Sequence, residues 1–224
     1  MNSCHDINKT IYRRRFEEDV QFRIEMYNVL CKHFFQKYIP RDATILEIGA
    51  GYCEFINAIQ AKRKIAIDVN PDTCTYADDS VEVVITQSTQ LEFIDSESVD
   101  RVFVNNFFEH ITKPDIVKTL EELHRILKMG GEILVLQPNI RYCTSDYWMF
   151  FDHITPLDDR SMSEALEIAG FSVVECIPRF LPYSTKSRLP KSLVGLKLYL
   201  SAPVLWKLIG KRAFIRAEKR DEKC

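Results

Sequence analysis

Two histidines stand where the residue types suit proton transfer. His110 closes the run Asn105-Asn-Phe-Phe-Glu-His110, and His153 follows Asp152 in the aromatic stretch Tyr147-Trp-Met-Phe-Phe-Asp-His-Ile-Thr-Pro156. An imidazole titrates near neutrality, so it can take the proton that an attacking hydroxyl must lose, and a carboxylate such as Asp152 can orient it. The same histidines also suit a plainer part, held at strand ends by backbone groups. Tyr142, Tyr147, Trp148, Phe150 and Phe151 could stack on a sugar or ring, but such clusters more often fill a core, and core packing is the expectation.

A second constellation is Ile45-Leu-Glu-Ile-Gly-Ala-Gly-Tyr-Cys-Glu-Phe55, an apolar strand running into a glycine turn and then a helix. Gly49 and Gly51 let the backbone turn tightly and approach a ligand where a Cβ would obstruct it. Asp68 ends the next strand, about 20 residues beyond the turn, where an acid can accept hydrogen bonds from both hydroxyls of a ribose. Two cofactor classes use such a turn. A dinucleotide lays its pyrophosphate over the helix N-terminus and needs a third glycine, yet Glu54 stands at that position with a carboxylate that repels phosphate. S-adenosylmethionine carries no phosphate, and its ammonium and sulfonium groups favour carboxylates such as Glu47. The residues therefore favour this methyl donor, bound through Glu47, Gly49, Gly51 and Asp68. Displacement at a sulfonium needs no enzyme nucleophile. The protein must align the acceptor and exclude water, with His110, His153 and Asp152 as the catalytic candidates.

These groups need a rigid frame, and the hydrophobic pattern supplies one. Short apolar runs at Ile45 to Ile48, Ile65 to Ile67, Val81 to Ile85, Val99 to Val104 and Ile133 to Leu136 alternate with helix candidates. These lie at Glu54 to Ala61, after Pro71, and at Ile116 to Leu127, the last expected to stop at Gly130-Gly131. A helix from Asp159 to Ala169, a strand from Phe171 to Ile177 and a last strand from Ala213 to Ala217 follow. Such alternation predicts an α/β fold, a mostly parallel sheet covered on both faces, with ligands at the carboxyl ends of its strands. Thr10 to Tyr38 reads as an N-terminal helical extension ended by Pro40. The expected organisation is one domain: extension over 1–42, cofactor-binding core over 43–178, an amphipathic insertion over 179–212, and the last strand and tail over 213–224.

Taken as an ordered set, roughly from Thr44 to Pro138, these motifs resemble the class I S-adenosylmethionine-dependent methyltransferases, of the subgroup called type 11 or 12. The family's acidic-x-Gly-x-Gly-x-Gly turn is matched by Glu47, Gly49 and Gly51, with Cys53 in place of the third glycine. Asp68 matches its second-strand acid, Val99 to His110 its fourth strand and following Glu-His pair, and Leu123 to Val135 its helix, paired glycines and fifth strand. The resemblance implies a Rossmann-like, doubly wound sheet of seven strands, the last antiparallel, and S-adenosylhomocysteine as product. It also implies that Glu109 and His110 line the pocket. The family's adenine-binding aspartate is missing around Ile85-Thr-Gln-Ser-Thr89, where Gln87 or Ser88 could accept the hydrogen bond instead, and Asn105 lies on the same edge.

Composition narrows the remaining choices. The 224 residues carry a net charge of -2, which offers no global basic field for nucleic acid, and no Asn-Pro-Pro-Tyr base-flipping motif follows the fourth strand. Met1 to Val20 holds no apolar stretch of signal-peptide type, so a cytoplasmic location is expected. Seven scattered cysteines, without a CxxC pair or Cys/His cluster, point to reduced thiols and to no metal. In the stretch from Pro178 to Arg212, the basic residues Lys186, Arg188, Lys191, Lys197, Lys207, Lys211 and Arg212 are interleaved with Leu, Tyr and Trp. The plainer reading is an amphipathic helix covering the sheet or forming a dimer contact, its lysines solvated. The alternative is peripheral contact with an anionic membrane through 189–212. This tail resembles methyltransferases of bacterial surface-polysaccharide synthesis, which implies a glycan acceptor that can be lipid-linked. The expected function is methyl transfer to a small-molecule or glycan hydroxyl. The rivals are a non-catalytic protein that binds the donor, and an NAD-dependent dehydrogenase or epimerase.

Overall fold

The apolar runs form strands because β-branched and aromatic residues alternate between two buried faces, and the helices between them bury one stripe each. The computed structural model describes residues 19–183 and 192–220. The chain opens with α1 (Val20–His33) and a 3-10 turn at Phe35–Tyr38. It continues through β1 (Thr44–Ile48), α2 (Glu54–Ala58), β2 (Arg63–Asp68), α3 (Thr73–Tyr76) and β3 (Val81–Ile85). After a loop come β4 (Val99–Asn105), a 3-10 turn at Phe108–His110, α4 (Lys113–Ile126) and β5 (Leu127–Pro138). The last part holds α5 (Ile140–Tyr147), α6 (Asp159–Ile168), β6 (Phe171–Leu181), α7 (Leu193–Leu200), α8 (Pro203–Ile209) and β7 (Arg212–Lys219).

The seven strands make one sheet in the order β3-β2-β1-β4-β5-β7-β6. All neighbours are parallel except β7, which runs antiparallel to both β5 and β6. This is the Rossmann-like sheet expected, with the last strand reversed. Its order changes direction between β1 and β4, so the crevice at their carboxyl ends is the place for a ligand.

Alternation along the strands sorts the core into two layers. Leu46, Ile48, Val102, Val104, Ile133 and Val135 face Ile116, Leu120 and Leu123 of α4 and Met162 and Leu166 of α6. Ile45, Phe103, Leu134 and Phe214 face the aromatic layer of Phe34, Phe35, Phe55, Phe180 and Trp206. Each such side chain contributes about 1.5–3 kcal/mol on burial, so these layers, rather than the exposed ion pairs, hold the sheet. Two caps set helix starts. Thr112 accepts from Asp115 N at 3.3 Å with Pro114 in the first turn of α4, and Asp158 and Ser161 bond reciprocally at α6.

Several boundaries differ from the sequence expectation. Gly130 and Gly131 do not end a helix: α4 stops at Ile126 and β5 begins at once. Gly130 has φ +72, a Cβ on Gly131 would lie 2.7 Å from the Lys128 carbonyl oxygen, and the β4–β5 register shifts between Val99 and Arg101. The glycines serve a bulge in the strand. The expected helix over Thr10–Tyr38 is shorter within the described residues and tightens into the 3-10 turn, while Thr10 to Glu18 lie outside them. β6 runs on to Leu181 and β7 starts at Arg212, so the insertion narrows to α7, α8 and their joints. Lys186, Arg188 and Lys191 also lie outside the described residues.

Candidate active site

The turn after β1 is built around one carboxylate. Gly49 and Gly51 adopt left-handed backbone (φ +69 and +54), and a Cβ on Gly49 would meet Phe107 Cδ2 at 2.7 Å. Gly51 N–H donates to Asp68 Oδ2 at 2.7 Å, and Asn70 N–H donates to Oδ1 at 2.8 Å, so Asp68 stitches the ends of β1 and β2 together. Burial raises the Asp68 pKa above its ordinary value, opposed by those backbone hydrogen bonds. Cys53 also lies in the left-handed region, at φ 59, with its thiol 3.8 Å from the Thr73 carbonyl oxygen. It therefore keeps the backbone conformation that a glycine would favour, and the departure changes the side chain without changing the turn.

Glu47, at the centre of β1, accepts from Ile56 N–H in α2 at 3.1 Å. Burial, reinforced by the nearby Glu54, pushes its carboxyl well above the usual range. Glu54 itself pairs with Arg23 Nε of α1 at 2.8 Å, which offsets part of the repulsion toward phosphate read from the sequence. Three buried carboxylates still face this crevice, so a cationic ligand suits it better than a pyrophosphate. Asn70 Nδ2 and Thr73 Oγ1 are buried beside Asp68 without hydrogen-bond partners, leaving donors for a polar ligand at the ribose end. These residues fit S-adenosylmethionine. Of the other expected contacts, Gln87 is exposed and available to an adenine. Ser88 is buried, with its hydroxyl 2.7 Å from Thr119 Oγ1 of α4. Asn105 is committed elsewhere: its amide donates to the Tyr27 hydroxyl at 2.6 Å, and its carbonyl oxygen accepts from Arg212. Sequence reading did not identify Arg23, Tyr27 or Arg212 as parts of this edge, because they come from the two ends of the chain.

Beyond β4, Asn106 (φ 48) turns the chain into the 3-10 turn that carries Glu109 and His110. His110 Nδ1 lies 3.1 Å from the Asp152 carbonyl oxygen and 3.2 Å from Asp152 Oδ2. Both atoms can only accept from a neutral ring, so Nδ1 carries the proton and Nε2 presents its lone pair. Asp152 thus orients His110. The two imidazoles meet edge to face, with centroids 4.8 Å apart. The loop that brings His153 in is pinned to this turn. Ile154 N–H and Thr155 N–H donate to the Glu109 carbonyl oxygen at 2.9 and 3.2 Å, and Thr155 Oγ1 donates to the Ile111 carbonyl oxygen at 2.6 Å.

The aromatic stretch divides in two. Tyr147 is buried and its hydroxyl donates to the Thr155 carbonyl oxygen at 2.5 Å, as core packing requires. Phe151 is 90% exposed, and Trp148, Met149 and Ile154 are exposed with it, so core packing fails there. They form an apolar rim on the loop that carries His153.

A seven-stranded sheet with this turn and this strand-end acid is a Rossmann-like fold whose crevice suits S-adenosylmethionine. The family described as Methyltransferase domain matches residues 46–135. An uncharacterized protein of Methanocaldococcus jannaschii is 31% identical over 45% of this chain and 46% of its own. The demethylmenaquinone methyltransferase of Bacillus licheniformis is 23% identical over 53% of this chain and 56% of its own. The chain spans about half the length of the curated relatives it matches. A SAM-dependent methyltransferase from Archaeoglobus fulgidus superposes with a TM-score of 0.68 at 19% identity, over 91% of this chain and 99% of that one, a likeness of fold. Residues 46–135 thus carry the match to the methyltransferase family, and the fold is that of a solved SAM-dependent methyltransferase.

Proposed function

We propose that this chain transfers a methyl group from S-adenosylmethionine to a hydroxyl of a small-molecule or glycan acceptor. The observation that carries this reading is the adjacency of two arrangements at the carboxyl edge of one sheet. They are the Glu47–Gly49–Gly51–Asp68 cradle, and the His110 ring whose Nε2 lone pair is fixed by Asp152. When bound, S-adenosylmethionine supplies an electrophilic methyl group on a sulfonium. The chain's own residues do the rest: Asp68 holds the ribose, Gln87 meets the adenine, and the negative cradle favours the donor's cationic end. His110 Nε2, with His153 beside it, accepts the proton of the acceptor hydroxyl.

The acceptor side is apolar at its margin. The exposed Trp148, Met149 and Phe151 suit the ring or tail of a substrate, and Val194, Leu198, Val204 and Leu208 of α7 and α8 are exposed as well. A lipid-linked acceptor, met at a membrane surface, agrees with both features. The Bacillus relative is named for demethylmenaquinone, another small-molecule acceptor.

Titration calorimetry with S-adenosylmethionine, S-adenosylhomocysteine and NAD tests the donor. Micromolar binding of the first two and none of NAD is expected; binding of NAD alone, or of nothing, overturns the proposal. With an accepted substrate, His110→Ala should lower turnover by about 10²–10⁴-fold while leaving donor affinity unchanged.

A further inference from the structure

Glu109 is 1% exposed, and neither of its carboxylate oxygens has a hydrogen-bond partner. A buried carboxylate left in this way is costly unless a proton or a cation sits against it. Burial raises the Glu109 pKa, opposed by His110 and by Arg212, whose guanidinium donates its hydrogen bond to Asn105. Two imidazoles lie beside Glu109. Its Oε1 lies 3.8 Å from His110 Nε2, the nitrogen that Asp152 leaves with a lone pair, and one ligand atom each from Glu109, His110 and His153 fall within 4.8 Å of one another. A buried carboxylate and two imidazoles thus each bring a ligand-type atom toward one point.

We propose that Glu109, His110 and His153 bind a divalent first-row cation of the Mn²⁺, Co²⁺ or Zn²⁺ type. Two imidazole nitrogens and one carboxylate select such borderline cations over Ca²⁺ or Mg²⁺, which prefer all-oxygen sites. Bonds of about 2.0–2.2 Å require ligand atoms roughly 3–4 Å apart, so the present spread closes with small side-chain rotations. The surroundings are those of a built site. Asp152 supplies the outer carboxylate that fixes a ligating imidazole, and the backbone bonds from Ile154 and Thr155 to the Glu109 carbonyl hold the two ligand segments together. Three protein ligands leave coordination positions open. His110 is half-buried, so those positions face the crevice.

The role of the cation rests on the proposed function. An acceptor hydroxyl taking an open position has its pKa lowered and its proton leaves to solvent; with the cation bound His110 and His153 are ligands, and the base role proposed for His110 belongs to the cation-free site. This favours an oxygen acceptor, and one with a second oxygen nearby to fill the remaining position.

The test uses untagged, full-length protein stripped with EDTA and dialysed. Co²⁺ is titrated by visible d–d absorption, and Zn²⁺ and Mn²⁺ by calorimetry. One equivalent should bind, with affinity lowered at least about 100-fold in His153→Ala and Glu109→Gln and about 10–100-fold in Asp152→Asn. Circular dichroism checks folding of each variant. Asp152→Asn, which removes only a charge, keeps the test informative if Glu109→Gln unfolds. Absence of saturable binding to the unaltered protein overturns the inference. So does binding of equal strength in the folded variants, which places the ion elsewhere. S-adenosylmethionine is titrated in parallel, in EDTA. Loss of donor binding with cation binding intact sinks the proposed function alone; the reverse sinks the cation site alone.

Discussion

In the proposed function Asp68 answers two demands with one carboxylate, because it already accepts backbone N–H groups from Gly51 and Asn70 and would also receive a ribose. Its raised pKa gives the sign of a pH effect. Ribose hydroxyls donate to the ionised form, so binding favours ionisation, and below the ligand-free pKa each binding event releases a proton. Donor affinity should rise with pH through that pKa and level off above it. Calorimetry in two buffers of different ionisation enthalpy reads the released proton; affinity that is flat or falls over that range would count against the contact. Without ligand the sign reverses. A folded-state pKa above the unfolded one stabilises the fold at low pH, and that contribution is lost as pH rises from the unfolded value through the folded one. Asp68→Asn keeps size but loses a charge-assisted acceptor, about 1.5–3 kcal/mol of donor binding, a tenfold loss or more. Much at this scale was legible from sequence, since glycines and acids in fixed spacing around one turn leave few geometries. The partnering of Asp152 with His110 was not, because the two lie far apart in the chain.

Among the elements, α7 and α8 show how a short insertion is fastened. Tyr199 donates to the Phe180 carbonyl oxygen at 2.6 Å, Trp206 donates to the Tyr199 carbonyl oxygen at 2.8 Å, and Arg179 donates to the carbonyl oxygens of Gly210 and Leu208 at 2.9 and 2.6 Å. The joint depends on Gly210, where an added Cβ would lie 2.5 Å from the Arg179 carbonyl carbon and oxygen. Backbone cannot yield as a side-chain tip can. Gly210→Ala should therefore cost about 1–3 kcal/mol, measured by urea unfolding with an unchanged slope; a loss under about 0.5 kcal/mol would show that the joint is loosely packed. Strand and helix identities followed from hydrophobic period alone. The bulge at Gly130-Gly131 did not, since paired glycines end helices and kink strands equally well, and only the pairing with β4 distinguishes them.

For the whole molecule, the two faces of the insertion carry opposite consequences. Tyr199, Leu200 and Trp206 close the aromatic layer, while Val194, Leu198, Val204, Leu205, Leu208 and Ile209 are exposed, with Lys197 and Lys207 among them. One face covers the aromatic layer and the other is exposed, and among the described residues no helix is long and apolar enough to cross a membrane. If the outer face rests on anionic lipid, Leu208→Glu should leave stability within about 0.5 kcal/mol and reduce cosedimentation with phosphatidylserine vesicles. Equal sedimentation of the two proteins, or none of either, would remove the membrane from the proposed function.

The sequence by itself determined the alternating α/β order, the glycine turn with its acids, and the edge at which His110 lies. These are carried by local period and spacing, which survive without knowledge of distant contacts. Tertiary structure alone decided that Arg23 neutralises Glu54 and that Tyr27 and Arg212 grip Asn105. It also decided that Glu109, His110 and His153 come together at one point. The reason is physical. Such contacts join segments far apart in the chain, and their energies depend on burial and direction, which a linear pattern does not encode.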